Sequence, residues 1–288
     1  MASLSTDLYQ TANHFLLELI QNADDNFYDV EEPTLAITYT PGRVRIDCNE
    51  RGFAKNNVEA ICRICKSTKS GRSKSTGFVG EKGIGFKAVF KVASTVWISS
   101  GHYSFKFNRD AHLGMIAPVW AEFPETKRPS VSTSIVLELA PDCNGKAVFN
   151  ELRTYDSRIL VFLRRLRRLE ISADECPVRL GGFKKVLRRL SSSEADPRMM
   201  LLQNNTEKKK YLVWRHTATG MPKEERRPGI DSSEIVVAFP LGRNGDEPIL
   251  EEQSVYAFLP VRDYGFKASY PLASIGDQRS PHAGANMG

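Results

Sequence analysis

The 288-residue sequence contains no apolar run approaching the roughly 20 residues that a helical membrane span needs. Its first residues reach Glu18 and Asp24 without the apolar core and small-residue cleavage site of a secretory leader. Cysteine is scarce, five in all, and odd in number. Cys62 and Cys65 form one CxxC with no second pair at zinc spacing, so neither a disulfide framework nor a structural zinc site is expected. Scattered thiols suit a reducing compartment, cytoplasmic or nuclear and not secreted. The GK[ST] of a P-loop is missing, and so is the GxGxxG of a dinucleotide fingerprint. No internal repeat is present.

Basic charge is what the chain does have. The net charge is +6, and the cations cluster at Arg164, Arg165, Arg167 and Arg168, at Lys184, Lys185, Arg188 and Arg189, and at residues 208–210. A basic stripe can serve nucleic acid. However, Leu152, Tyr155, Ile159, Phe162, Leu163, Leu166 and Leu169 recur at helical spacing, which predicts one long helix over residues 150–169 with the arginines as its solvated side.

Elsewhere the pattern predicts a helix over residues 8–27, with Phe15, Leu16, Leu19, Ile20 and Ala23 on one side. Strands are expected at 35–39 and 43–48 about a turn at Pro41-Gly42, then at 95–99, 103–108 and 134–139, with a short helix at 58–65. Residues 66–77 are rich in Ser, Lys and Gly and read as a loop. Beyond the long helix, strand-like runs at 170–172, 211–216, 235–240 and 255–260 suggest a second, mostly β segment. The last 21 residues, 268–288, lack periodicity and read as disordered.

Three segments carry chemistry. In ELIQNADDN, Glu18, Asn22 and Asp25 fall on one side of a helix. An amide oxygen is a hard ligand suited to Mg²⁺, and a carboxylate one turn away can orient or deprotonate a water. The run GFVGEKGIGFK supplies Gly80, Gly83 and Gly85 with Ile84 and Phe86, a glycine-rich loop opening a helix where backbone N–H groups can approach an anion. In IDCNERGF, carboxylates at a strand end precede a Gly52 turn and can hold the exocyclic amine of a base. Taken singly, each segment reads equally well as a polar helix face, a loop or an acidic turn.

In this order the three segments resemble the GHKL, or Bergerat-fold, ATPase superfamily. ELIQNADDN is similar to its N-box, IDCNERGF to its first glycine box, GEKGIGFKAVFKVA to its second, and STSIVLEL at residues 132–139 to its late strand box, with Ser132 in place of Gly. The likeness is to the chaperone-like branch with the ninety-kilodalton heat-shock chaperone, sacsin and the plant NO VEIN type, and FLPVRDYGF points the same way. The resemblance implies ATP and Mg²⁺ as ligands. It makes Glu18 the general base, Asn22 the magnesium ligand, Asp25 a pocket residue, residues 80–86 the phosphate loop, Thr133 the threonine near adenine and residues 54–79 a lid. The adenine-reading Asp of the family falls on Cys48, so that role passes to Asp47, with Asn49 and Glu50 as alternatives.

The expectation is therefore an α+β chain. A two-layer α/β sandwich of Bergerat type, helices on one face of a mixed sheet, would occupy residues 1–180. An incomplete β-rich middle segment would follow at 181–267. The expected function is Mg-dependent ATP binding with slow or absent hydrolysis, because Arg262 and Lys267 are the only nearby stand-ins for the cation that touches the terminal phosphate. A protein client is the expected partner, with no membrane. The alternative is a non-catalytic module that uses the basic helix for nucleic acid or acidic partners, its nucleotide pocket vestigial.

Overall fold

A computed structural model describes residues 14–62, 85–126, 128–174, 181–191, 196–220, 232–242, 249, 252–257 and 259–267. Helix α1 (His14–Asp25) buries Phe15, Leu16, Leu19, Ile20 and Ala23, the apolar side its spacing predicts. Residues 8–13 of the expected helix lie outside the described residues. Strands β1 (Thr34–Thr40) and β2 (Arg43–Cys48) form a hairpin about the Pro41-Gly42 turn. In β1 burial alternates strictly, with Leu35, Ile37 and Tyr39 inward. Helix α2 (Lys55–Cys62) is short and has no fully buried residue. A 3₁₀ segment (Gly85–Lys91) leads into β3 (Ala93–Ser100), followed by β4 (Tyr103–Asn108), β5 (Val119–Trp120) and β6 (Thr133–Leu139). Phe86, Phe90, Phe105 and Phe107 pack edge-on or tilted against one another and anchor the 3₁₀ segment to β4.

Helices α3 (Gly145–Thr154) and α4 (Ile159–Phe162) precede β7 (Arg168–Ala173), β8 (Phe183–Leu190), β9 (Met199–Asn204), β10 (Glu207–Thr219) and β11 (Ser232–Pro240). These strands and the earlier ones make a single eleven-stranded sheet in the order β11-β10-β9-β8-β7-β1-β2-β6-β3-β4-β5. Every neighbouring pair is antiparallel except β1 and β7, which run parallel with Leu35 opposite Leu169. Strands β12 (Glu252–Ala257) and β13 (Leu259–Lys267) form a separate hairpin.

The molecule is thus dominated by one wide mixed sheet with few helices, and not the two-layer α/β sandwich expected from the sequence. Two segments account for the difference. The long basic helix over residues 150–169 does not exist. Asp156 accepts the N–H of Arg158 at 2.8 Å and a forked contact from its guanidinium, and this local turn competes with helical hydrogen bonding. Helix α3 therefore ends at Thr154, and Tyr155 and Leu163 are extended. The apolar residues of that stretch are buried, as their spacing implies, but from separate pieces of chain.

The second segment is β8, whose Lys and Arg pairs disguise a strand. Lys185, Leu187 and Arg189 share one side by the period of two. Leu187 enters the core, while Lys185 donates to the carbonyls of Arg153 and Tyr155 at the end of α3. Through the β7–β8 pairing the sheet continues across residue 180 into β9, β10 and β11. No helix among the described residues is long and apolar enough to cross a membrane.

Candidate functional site

The site is built around the end of β2, where successive residues face opposite ways. Val44, Ile46 and Cys48 join the core that α1 packs on. Cys48 Sγ lies 3.2 Å from the hydroxyl of Tyr28, which donates to the carbonyl of Ala23 at 2.7 Å. Tyr28 thereby links the last turn of α1 to the end of β2. Burial pushes the Cys48 thiol up to about 12 and raises the Tyr28 phenol as well, so both stay neutral.

Asp47 faces the other way. It is 2% exposed and is surrounded by partners. Arg45 forks onto it at 2.8 to 3.1 Å, Arg128 lies 3.1 Å away, and the Ser134 hydroxyl donates at 2.6 Å. Burial works against the charge of Arg45, but its bonds to Asp47 and Glu125 raise its pKa above the ordinary value. The structure therefore does not bring Asp47, the sequence's first choice for reading the base, to the α1 side. Asn49 is also occupied. Its side chain accepts from the N–H of Thr34 and donates to the carbonyl of Glu32, closing the entry to β1.

Glu50 is the carboxylate that reaches the Cys48 side. Its Oε1 accepts from the Thr133 hydroxyl at 2.5 Å, and Thr133 Oγ1 in turn lies 2.5 Å from Ser100 Oγ. The Phe53 amide donates to the same Ser100 hydroxyl at 2.7 Å. Burial raises the pKa of Glu50, partly offset by the Thr133 hydroxyl and by an N–H bond from Gly52. Gly52 holds φ +91°, a left-handed conformation that lets the chain turn back over Ser100 and Gly101. Thr133, which the resemblance made the threonine near adenine, lies beside a buried carboxylate, that of Glu50. The register gives the signal that sequence reasoning missed: Cys48 pairs with Thr133, so the residue two beyond Cys48 returns to the same side.

On α1, Glu18 and Asn22 are half-buried and one turn apart. Gly85 abuts Glu18 so closely that a Cβ at position 85 would collide with its carboxylate. The start of the 3₁₀ segment and α1 are therefore in contact, with Phe86 packed against the core beside them. Asp25 is buried, 3.9 Å from the Arg164 guanidinium. Gly80, Gly83 and Ile84, and residues 63–79 of the expected lid, lie outside the described residues. Among the described residues, no group of three or more His, Cys, Asp and Glu side chains gathers that could hold a metal. The arginines at 164–168 are not a free basic face. Arg165 and Arg167 donate to backbone carbonyls, and Arg168 pairs with Glu32 and Glu170. The nucleic-acid alternative loses the helix on which it rested.

The chain is 30% identical to Protein NO VEIN of Arabidopsis thaliana over 290 residues. The relationship is of NO VEIN type. The match covers 92% of this chain but only 10% of that protein, so the chain corresponds to a small part of its relative's length. No protein-family model matches the chain.

Proposed function

We propose that the chain binds a magnesium nucleotide, ATP, at the cluster formed by α1, the end of β2, the start of β6 and the 3₁₀ segment. The observation that supports this most is the convergence of two polar sets on one side of β2. Glu18 stands on α1 against Gly85 with Asn22 one turn along the same helix, and the Glu50–Thr133–Ser100 network is tied to that helix through Cys48 and Tyr28. These residues fit the ligand. Asn22 offers one hard oxygen, and magnesium commonly takes one or two protein groups with phosphate oxygens and waters completing its shell. Glu50 and Thr133 offer an acceptor and a hydroxyl suited to a base edge. Gly85, having no Cβ, lets the Glu18 carboxylate lie directly against the 3₁₀ segment. Bound Mg²⁺ would supply charge neutralisation at the phosphates, and Glu18 would orient a water.

Hydrolysis by this chain alone is slow or absent in this reading. The test is a titration of ATP with and without magnesium, read by thermal shift. Ligand at 100 times its Kd stabilises by about 2.7 kcal/mol. Asn22→Ala should abolish the magnesium-dependent part of the shift, and Glu18→Ala should keep binding. Phosphate release should stay well below about 1 s⁻¹. A wild-type chain that shows no magnesium-dependent shift at millimolar ATP overturns the reading.

A further inference from the structure

The turn at residues 163–166 is gripped from two sides by side chains of opposite charge. The N–H groups of Arg164, Arg165 and Leu166 all donate to the buried carboxylate of Asp24, at 2.8, 2.8 and 2.9 Å. The carbonyls of Leu163, Arg164 and Leu166 accept from the guanidinium of Arg189 at 2.6, 3.1 and 3.2 Å, as does Leu160 at 2.9 Å. Arg165 closes the ring by donating to the carbonyls of Asp24 and Asp25 at 3.3 and 3.1 Å. Asp24 belongs to α1, and Arg189 to β8. One short turn, whose own sequence is LRRL, is thus the rivet between the helix of the candidate site and the strands that widen the sheet.

Charge-assisted hydrogen bonds are short and directional, so this rivet constrains orientation as well as distance. Asp24 lies in the same helical turn as Asn22. The last turn of α1 cannot move relative to β8 without breaking bonds on one side of the rivet or the other.

We propose that Asp24 and Arg189 are positioning residues: together they set where Asn22 presents its amide to a magnesium nucleotide, and they couple strands β8–β11 to that site. This rests on the nucleotide-binding reading above. A purely structural rivet and a positioning one differ in what they change. Loss of the first lowers stability and leaves the folded molecules with unaltered metal dependence. Loss of the second removes the metal-dependent part of the affinity and spares the rest.

The experiment uses the full chain with Arg189→Lys, which keeps the charge but cannot fork across four carbonyls. ATP affinity is measured with magnesium and with a chelator. Hydrogen exchange of the amides at residues 22–25 is measured without nucleotide. The expected result is a loss of about 10-fold or more in the magnesium-dependent affinity, the scale seen when groups orienting a metal ligand are removed. Metal-free affinity should be unchanged, and exchange in the last turn of α1 should be faster. Arg198→Lys, at the part-buried Asp196 pair just before β9, should alter neither. Should Arg189→Lys fail to fold, Asp24→Asn asks the same question. Wild-type protein without any ATP affinity overturns the nucleotide reading and the proposal with it. Wild-type binding that Arg189→Lys leaves equally magnesium-dependent overturns the proposal alone.

Discussion

Asp47 and Glu50 are both buried carboxylates, three residues apart, on opposite sides of one strand end. Around Asp47 the chain has assembled every partner an anion needs: a forked guanidinium, a second arginine and a hydroxyl. Around Glu50 it has assembled a hydroxyl pair and a backbone N–H, with no cation at hydrogen-bond distance among the described residues. The first side is a closed ion network that holds β2 to the segment before β6. The second keeps a carboxylate that burial disfavours and that a hydroxyl and an N–H stabilise in place of a cation among the described residues.

That contrast can be broken most severely at Asp47. Asp47→Ala removes the forked partner of the buried Arg45 charge, and urea denaturation should show a loss of about 3 to 5 kcal/mol. Nucleotide affinity of the molecules that remain folded should not change. Glu50→Gln should behave in the reverse way. Its amide oxygen still accepts from Thr133, so stability should move by no more than about 1.5 kcal/mol, while ATP affinity falls by about tenfold or more, equivalent to roughly 1.4 kcal/mol.

The same substitution should alter the pH dependence. Because the folded-state pKa of Glu50 lies above its unfolded value, the native state binds the extra proton between the two. Wild-type stability therefore declines as pH rises from the ordinary carboxylate range through the raised value. Denaturation midpoints of Glu50→Gln across that window should lack this component of the slope.

Gly85→Ala should have a smaller effect. The added methyl meets the end of a flexible side chain and not a backbone, so Glu18 can swing aside, and the stability cost should stay below about 1 kcal/mol. Magnesium-ATP affinity should drop measurably in the same titration. Smallest of all, Arg128→Ala removes a partner that is 43% exposed. It should cost no more than about 1 kcal/mol by thermal unfolding, since Arg45 still satisfies Asp47.

The strands of the α1 side were legible because their burial alternates. Leu35, Ile37 and Tyr39, and the run from Tyr103 to Asn108, show the period of two without ambiguity. Two kinds of position were not. In β8 the inward-facing Lys185 and Arg189 look solvated, because their charge is spent on carbonyls that only the folded chain brings near. In residues 150–169 the helical spacing of the apolar residues was real, but a single Asp156 turn divided the helix. At the site, Glu18 and Asn22 could be picked out by type and spacing, while Thr133 came only from the resemblance. Choosing Glu50 over Asp47 required the strand register, which is a tertiary fact. Asp24 could not be singled out at all, since its partners lie about 140 residues away.

The lone parallel joint between β1 and β7 has a consequence for how this chain comes together. Strands β8 to β11 are linked by hairpins, as are β1 with β2 and β3 with β4, so each group can assemble from neighbours in sequence. The pairing of Leu35 with Leu169 cannot, because it closes a loop of more than a hundred residues. Closure entropy grows slowly with loop length but must be met before that contact returns anything. Topology of this kind slows folding, so the joint should form last, after both wings exist. Until it does, two open strand edges face water at the centre of the future sheet. That interval, more than the finished protein, is when the chain is most exposed to aggregation.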